Sequence, residues 1–363
     1  AWFSDEGGEY RLVIADQNGD HRTAIAVDRP TFFYTPAWSP DSRRIAFTDA
    51  NRDLWVCEVA DGALTRVDNE MFAHPDRVIY PAWSPDSKWL AYTRRLPNQY
   101  AAIFLWSVAS GKATQVTDGM SDSRAPAWDA GGKYLYFLAS TDYALNVGWL
   151  DMTSYDRPVT RAIYLAVLAK GEPSPLLPES DEEKKDEEGD DGKDKDATGK
   201  AVKQEGGKRV DKAKDDKGKG GAGEEEKKKE VVVTVDLDGL ANRIVALDVP
   251  ARDYQQLAAG AEGTLFYSEA VVNQKGLTLH RFELEKRKAK EVVGGVTGFA
   301  LSADGKKLLY GSREGAWAIV DAAGEPKPED GKLATGELRV KVDPPAEWRQ
   351  IFREAWRFQR DYF

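Results

Sequence analysis

A near-verbatim phrase returns every 45 residues. Pro-Ala-Trp-Ser-Pro-Asp-Ser occupies residues 36–42 and 81–87, and Pro-Ala-Trp-Asp-Ala-Gly-Gly occupies 126–132, so Trp38, Trp83 and Trp128 are 45 apart each time. Each copy precedes a short apolar run: 45–47, 90–92 and 135–137. A fixed beat of about 40–45 residues built from short strands fits the blade of a β-propeller. Within the phrase, proline presets φ for a β-turn, and Ser and Asp bond nearby backbone. The apolar run is too short for a helix and rich in β-formers. The phrase therefore predicts strand, tight turn, strand. The three tryptophans are expected in the core, where burying one contributes on the order of a few kcal/mol.

The beat divides the chain into six blades. Blade one, about residues 2–30, lacks the turn phrase that should precede Trp2, and the chain has no initiating Met, so a fragment cut within a blade is expected. Blade two covers about 34–69 and blade three about 79–118. Blade four begins at Ala125, with a third strand expected near 145–150, a further run at 161–168 and a closing strand at 244–249. Blade five repeats the pattern weakly at 265–268 and 277–282. Blade six follows at 299–310 and 316–320, with Ala303, Asp304 and Gly305 in place of the Pro-Asp-Ser turn. Residues 338–342 alternate in polarity, which predicts a late strand able to pair with blade one and close the ring. The fold class is all-β: a propeller of about six visible four-stranded blades, or seven with one more upstream, followed by a C-terminal helix stub.

One stretch cannot join this core. From 179 to 230, 34 of 52 residues are charged, 19 acids and 15 bases, with no aromatic, Leu, Ile or Met. Such a composition does not offset its own ordering entropy, so residues 171–230 are expected to be a disordered insertion in blade four. The propeller then spans 1–342. Residues 343–363 read as a helix, with Asp343 as cap, Pro344 and Pro345 in the first turn, and Trp348, Ile351, Phe352, Ala355 and Trp356 on one face. That stripe predicts a partner surface, the opening of a truncated further domain.

The chain offers little to catalysis. Its three histidines, His21, His74 and His280, fit no metal-ligand spacing, and with a single cysteine, Cys57, in a strand-like run, no metal and no cofactor are expected. No serine sits in a Gly-x-Ser-x-Gly elbow, and no glycine loop cradles phosphate. The net charge of −10 does not suggest nucleic acid, and no stretch is apolar for long enough to span a membrane, so neither partner is expected. Two basic pairs stand out. Arg43 and Arg44 follow a hairpin turn and are expected in solvent. Arg94 and Arg95 follow a buried strand, and are the candidate substrate-binding residues for a peptide carboxylate at a rim or channel.

Taken together, these features resemble a known family. The Pro-Ala-Trp-Ser-Pro-Asp-Ser turn is shared by many TolB-like and prolyl-oligopeptidase-type propellers. The segments 2–10 and 236–247 resemble the second propeller of tricorn proteases and their bacterial homologues. Residues 338–363, from the alternating run through Glu347-Trp-Arg-Gln-Ile-Phe352 to Arg360-Asp-Tyr-Phe363, are similar to the start of that family's first catalytic subdomain. The resemblance implies a serine peptidase with two propellers, a helical subdomain, a PDZ-like domain and a second catalytic subdomain. It further implies that the propeller filters and passes peptides and that the assembly is a hexamer; a cytoplasmic location is expected. The family's catalytic His and Ser lie beyond Phe363, so no catalytic residue carries over. The alternatives are a stand-alone TolB-like binding scaffold and a prolyl-oligopeptidase relative.

Overall fold

The apolar runs behind the first three phrases become the second strands of antiparallel sheets. The computed structural model describes residues 1–27, 29–72, 79–143, 159–177, 231–327 and 329–363. The third strand expected at 145–150, His74 and residues 178–230 lie outside these. Blade one is a three-stranded sheet of β1 (Trp2–Ser4), β2 (Arg11–Ile14) and β3 (Thr23–Ala26). Blade two holds β4 (Phe33–Trp38), β5 (Arg44–Asp49), β6 (Asp53–Glu58) and β7 (Leu64–Asn69) in sequential order. Blade three holds β8 (Ala82–Trp83), β9 (Trp89–Arg95), β10 (Ala101–Ser107) and β11 (Lys112–Gln115). Blade four holds β12 (Asp122–Trp128), β13 (Tyr134–Ser140), β14 (Ala162–Val167) and β15 (Ile244–Ala246). Successive first strands are neighbours, which places them on the inside of the arc.

Blades five and six are not separate sheets. β16 (Tyr254–Ala259), β17 (Thr264–Ala270), β18 (Leu277–Glu283), β19 (Lys288–Leu301), β20 (Lys307–Ser312) and β21 (Trp317–Asp321) form one six-stranded sheet. β19 pairs with β18 from Lys288 to Val296 and with β20 from Val296 onward, so one strand is the outer edge of blade five and the inner edge of blade six. The change of partner falls beside Gly295, whose φ is +73°. A Cβ on Gly276 would stand 2.8 Å from the carbonyl carbon of Gly295, so the two backbones meet at van der Waals range only as glycines.

The recurring phrase joins neighbouring blades. Trp83 Nε1–H donates to the carbonyl of Ala37 at 3.1 Å, and Trp128 Nε1–H donates to that of Ala82 at 2.9 Å, a step of 46 residues in each case. Trp83 and Trp128 are 9% and 6% exposed, as expected for the core. Trp38 is 39% exposed, contrary to expectation. Inside the turn, the Ser39 and Ser84 hydroxyls donate to Asp41 and Asp86 at 2.6 and 2.7 Å, and Ser302 repeats this with Asp304 at 2.6 Å. Ser42, Ser87, Gly132 and Gly305 all take a positive φ at the same turn position. Burial alone would raise the Asp41 carboxyl, but the Ser39 hydroxyl and the Arg43 N–H outweigh it and hold it below the usual range.

This pattern gives the propeller two rims. First strands begin and second strands end at the upper rim; the phrase turns and the links from third to fourth strands lie at the lower rim. Residues 338–342 pair with no edge and are fully outside the sheets, Val340 being 85% exposed. The alternation supplied two faces but no neighbouring strand, so the expected ring-closing strand is absent. The helix is present as α1 (Pro344–Tyr362), and Asp343 is its N-cap, without a capping bond from the side chain.

The charged insertion leaves and returns at the lower rim between β14 and β15. Its base is wider than composition suggested. Residues 171–176, expected in the insertion, belong to the propeller: Leu176 packs against the core of blades four and five. Residues 231–237 return as irregular chain rather than as a strand. The outgoing arm runs to blade five, where Arg287 donates to the Pro175 carbonyl at 3.2 Å. The returning arm runs to blade three, where the Val233 N–H donates to Asp86 Oδ2 at 3.0 Å. Replacing 179–230 by a flexible bridge of about ten residues is therefore expected to leave the thermal midpoint within about 2 °C. Fusing 178 directly to 231 should pull Val233 or Leu176 from its seat and cost about 2 kcal/mol. Thermal melts compare the two; unfolding of the bridged variant would place core residues inside the removed segment.

Candidate functional site

The upper rim holds the candidate arginines. Arg94 and Arg95 end β9 there. Arg94 Nη1 donates to both carboxylate oxygens of Asp68 at 2.9 and 3.0 Å, and its guanidinium carbon lies 4.2 Å above the Phe104 ring. The Tyr92 hydroxyl donates to the same carboxylate at 2.5 Å. The Arg94 side chain keeps 31% of its exposure, whereas that of Arg95 has none. Arg95 Nη1 donates to the Gln99 carbonyl at 2.8 Å, and its Nε stands 3.8 Å from Glu70. Burial raises the Glu70 carboxyl, against the pull of Arg95. Of the candidate pair, Arg94 is partly exposed and Arg95 is buried against Gln99 and Glu70.

Two further arginines extend this rim. Arg124 in β12 lies 2.7 Å from Asp122, whose other oxygen accepts the Ala101 N–H at 3.1 Å, tying blade four to blade three. Arg161 lies 4.0 Å from Asp122 and 3.8 Å from Asp253, tying blade four to blade five. Burial, then the Arg124 charge, lowers the Arg161 guanidinium, and burial raises the Asp253 carboxyl. Sequence reasoning missed both arginines because neither belongs to a basic doublet; their shared acid, Asp122, lies in their own blade, and only Asp253 comes from blade five. His280 stacks on Tyr267 at 5.0 Å with Nε2 3.0 Å from Glu269, and His21 Nδ1 lies 2.6 Å from Asp16 in an exposed turn. Arg44 pairs with Glu58 at 2.5 Å. Cys57 is fully buried, and burial, followed by the Glu58 charge, pushes its thiol up to about 11. Among the described residues, no cluster of metal-ligating side chains is assembled, and no helix is long and apolar enough to cross a membrane. Chemically, the rim arginines pair with the chain's own carboxylates and tie neighbouring blades together.

Helix α1 also returns to the upper rim, and by its polar side. Arg357, 1% exposed, donates to the Gly8 carbonyl at 2.7 Å and pairs with Asp5 and Glu354. Tyr10 donates to Glu354 at 2.8 Å, and Arg360 pairs with Glu9 at 2.7 Å. The apolar stripe faces outward, with Trp348 66% exposed.

A profile of the tricorn protease second beta propeller domain matches residues 1–321. The chain belongs to the tricorn protease family. Tricorn protease homolog 1 of Streptomyces coelicolor is 30% identical over 146 residues, which is 36% of this chain and 14% of that protein. The tricorn protease of Thermoplasma volcanium is 24% identical over 281 residues, 72% of this chain and 22% of that protein. A crystal structure of the tricorn protease superposes with a TM-score of 0.72 at 17% identity, covering 99% of this chain and 32% of that one. The chain thus spans a minor part of the tricorn relatives, and the fold match includes the propeller and α1 together.

Proposed function

We propose that the chain is the propeller portion of a tricorn-like serine peptidase, that it filters and passes oligopeptides, and that it carries no catalytic residue itself. The match to the tricorn second propeller over residues 1–321 carries this reading. On it, Arg94 contacts the peptide carboxylate in competition with Asp68, Arg95 supports it from behind, the assembly is a hexamer, and the location is cytoplasmic. A guanidinium that is exposed, stacked on a ring and already oriented toward one carboxylate is suited to exchanging it for another.

The test uses exposed positions on inner strands, Gln255 of β16 and Ala300 of β19. In a longer polypeptide joining this propeller to its peptidase region, a bulky maleimide on Gln255→Cys or Ala300→Cys should lower kcat/KM for oligopeptides about tenfold or more. Native Cys57 is buried and does not compete for the reagent. Unchanged kcat/KM in both modified variants would rule out the passage. Hydrolysis of fluorogenic peptides by the 363-residue chain alone would refute the absence of catalytic residues.

A further inference from the structure

Two clefts between neighbouring blades are filled by the irregular arms that link β14 to β15 rather than by strands. Between blades three and four lies the returning arm. Val233 is buried there, with Val231 and Val235 beside it, against Ala91, Ile103 and Leu105 of blade three and Leu135 and Phe137 of blade four. The arm is extended, its alternate valines point inward, and it is fixed by polar groups: the Val233 N–H on Asp86, and the Asp236 N–H on the Leu168 carbonyl at 3.0 Å. Between blades four and five, Leu176 of the outgoing arm is seated, and Glu172 pairs with Lys133 at 3.0 Å.

The cleft between blades five and six has the same construction. Ala322 follows β21 as Leu168 follows β14, and its N–H donates to the Lys306 carbonyl at 2.8 Å just as the Leu168 N–H donates to that of Lys133 at 3.0 Å. Lys306 follows the left-handed Gly305 as Lys133 follows Gly132. The cleft has a volume of about 600 Å³. Phe266 forms its apolar floor, Ala261 and Ala323 its small-residue walls, and Lys286 and Lys306 line it. Arg281 closes one side, donating to the Ala322 carbonyl at 2.9 Å and the Gly324 carbonyl at 3.3 Å. Every lining residue belongs to blade five or six, so among the described residues no arm of the chain enters it. Its side chains carry three cations, Arg281, Lys286 and Lys306, against the two anions Glu283 and Asp321.

We propose that this cleft is a docking site for an extended peptide segment of a separate polypeptide, apolar at alternate positions and bearing a carboxylate that reaches Lys306. The returning arm shows the conformation such a segment takes, and the Glu172–Lys133 pair shows what the lysine at this turn position selects. The site is distinct from the inner strands and does not depend on the peptide-passage reading. Ala261 and Ala323 are small because the space over Phe266 is where the apolar side chain goes.

The probe is a dye-labelled Val-Thr-Val-Asp-Leu-Asp peptide, titrated against the full chain at low salt by fluorescence anisotropy. Saturable binding is expected, with Ala261→Trp or Ala323→Trp weakening it about tenfold or more by filling the cleft. Both alanines are exposed, so these variants should keep the wild-type thermal midpoint. Lys306→Glu, also an exposed position, should weaken binding roughly threefold, and Val-Thr-Val-Lys-Leu-Lys should bind less tightly than the acidic peptide. No binding up to about 1 mM overturns the proposal. So does binding that survives Ala261→Trp, which would place the peptide in another cleft, or equal binding of the lysine peptide.

Discussion

Trp128→Ala is expected to cost about 3–5 kcal/mol, and Trp83→Ala a similar amount, while Trp38→Ala costs less than about 1 kcal/mol. All three stand in the same phrase, so composition and local sequence predict equal effects. The structure separates them. The indoles of Trp83 and Trp128 fill the space between two sheets and also satisfy a carbonyl of the preceding blade. Truncation removes the buried area, leaves a cavity and orphans an acceptor at once. Trp38 is 39% exposed, so its truncation removes little of this. Urea denaturation of the three variants measures the difference through the midpoint at constant slope. A loss from Trp38→Ala as large as that from Trp128→Ala would refute the joint as the source of the effect.

Arg357→Met should release α1 from blade one. The substitution keeps the length of the stem but leaves Asp5 and Glu354 facing each other without a cation. For a fully buried pair the cost is about 3–5 kcal/mol; because Asp5 and Glu354 retain some solvent contact, about 2–3 kcal/mol is expected here. Amide hydrogen exchange resolves this: protection in residues 346–362 should fall in the variant while that of β9 and β10 is unchanged. Equal protection in wild type and variant would mean that the docking does not rest on Arg357. A pH dependence follows from the same group. Burial would raise the Asp5 carboxyl, but the bonds from Arg357 and Gln350 outweigh it and hold it below its ordinary value. An acid depressed in the folded state contributes stability above its unfolded pKa of about 3.9, and that contribution disappears as pH falls through the folded value. Helix docking should therefore persist from neutral pH down to about pH 4 and weaken below it.

Much of the architecture was legible in the sequence because a repeat is its own alignment. The beat located blades two, three and four, the turns, and the place where the insertion interrupts blade four. It failed where a strand needs a neighbour that sequence does not name. Residues 338–342 alternate like an edge strand and meet no edge, and β19 serves two blades because glycines near 295 let the chain change partners without stopping. The helix shows the same limit. Its apolar stripe identified a surface able to be buried, yet docking uses Gln350, Glu354, Arg357 and Arg360, whose partners Asp5, Glu9 and Tyr10 are more than three hundred residues away in the chain. At the upper rim, the doublet Arg94–Arg95 stands out by adjacency, while Arg124 and Arg161 belong to the same charge network as single residues, Arg161 with one acid, Asp253, about ninety residues away.

The constant 46-residue step between each indole and its acceptor has an evolutionary consequence. The donor sits on one module and the acceptor on the module before it, at a fixed interval. A deletion of one 45-residue block, such as 38–82, would bring Trp83 directly behind Ala37, in the place that Trp38 now holds. A duplication of the same block would create a new donor and a new acceptor together. Propeller circumference can thus change by whole modules through simple copying errors in the gene, since each copy brings its own hinge and its own latch.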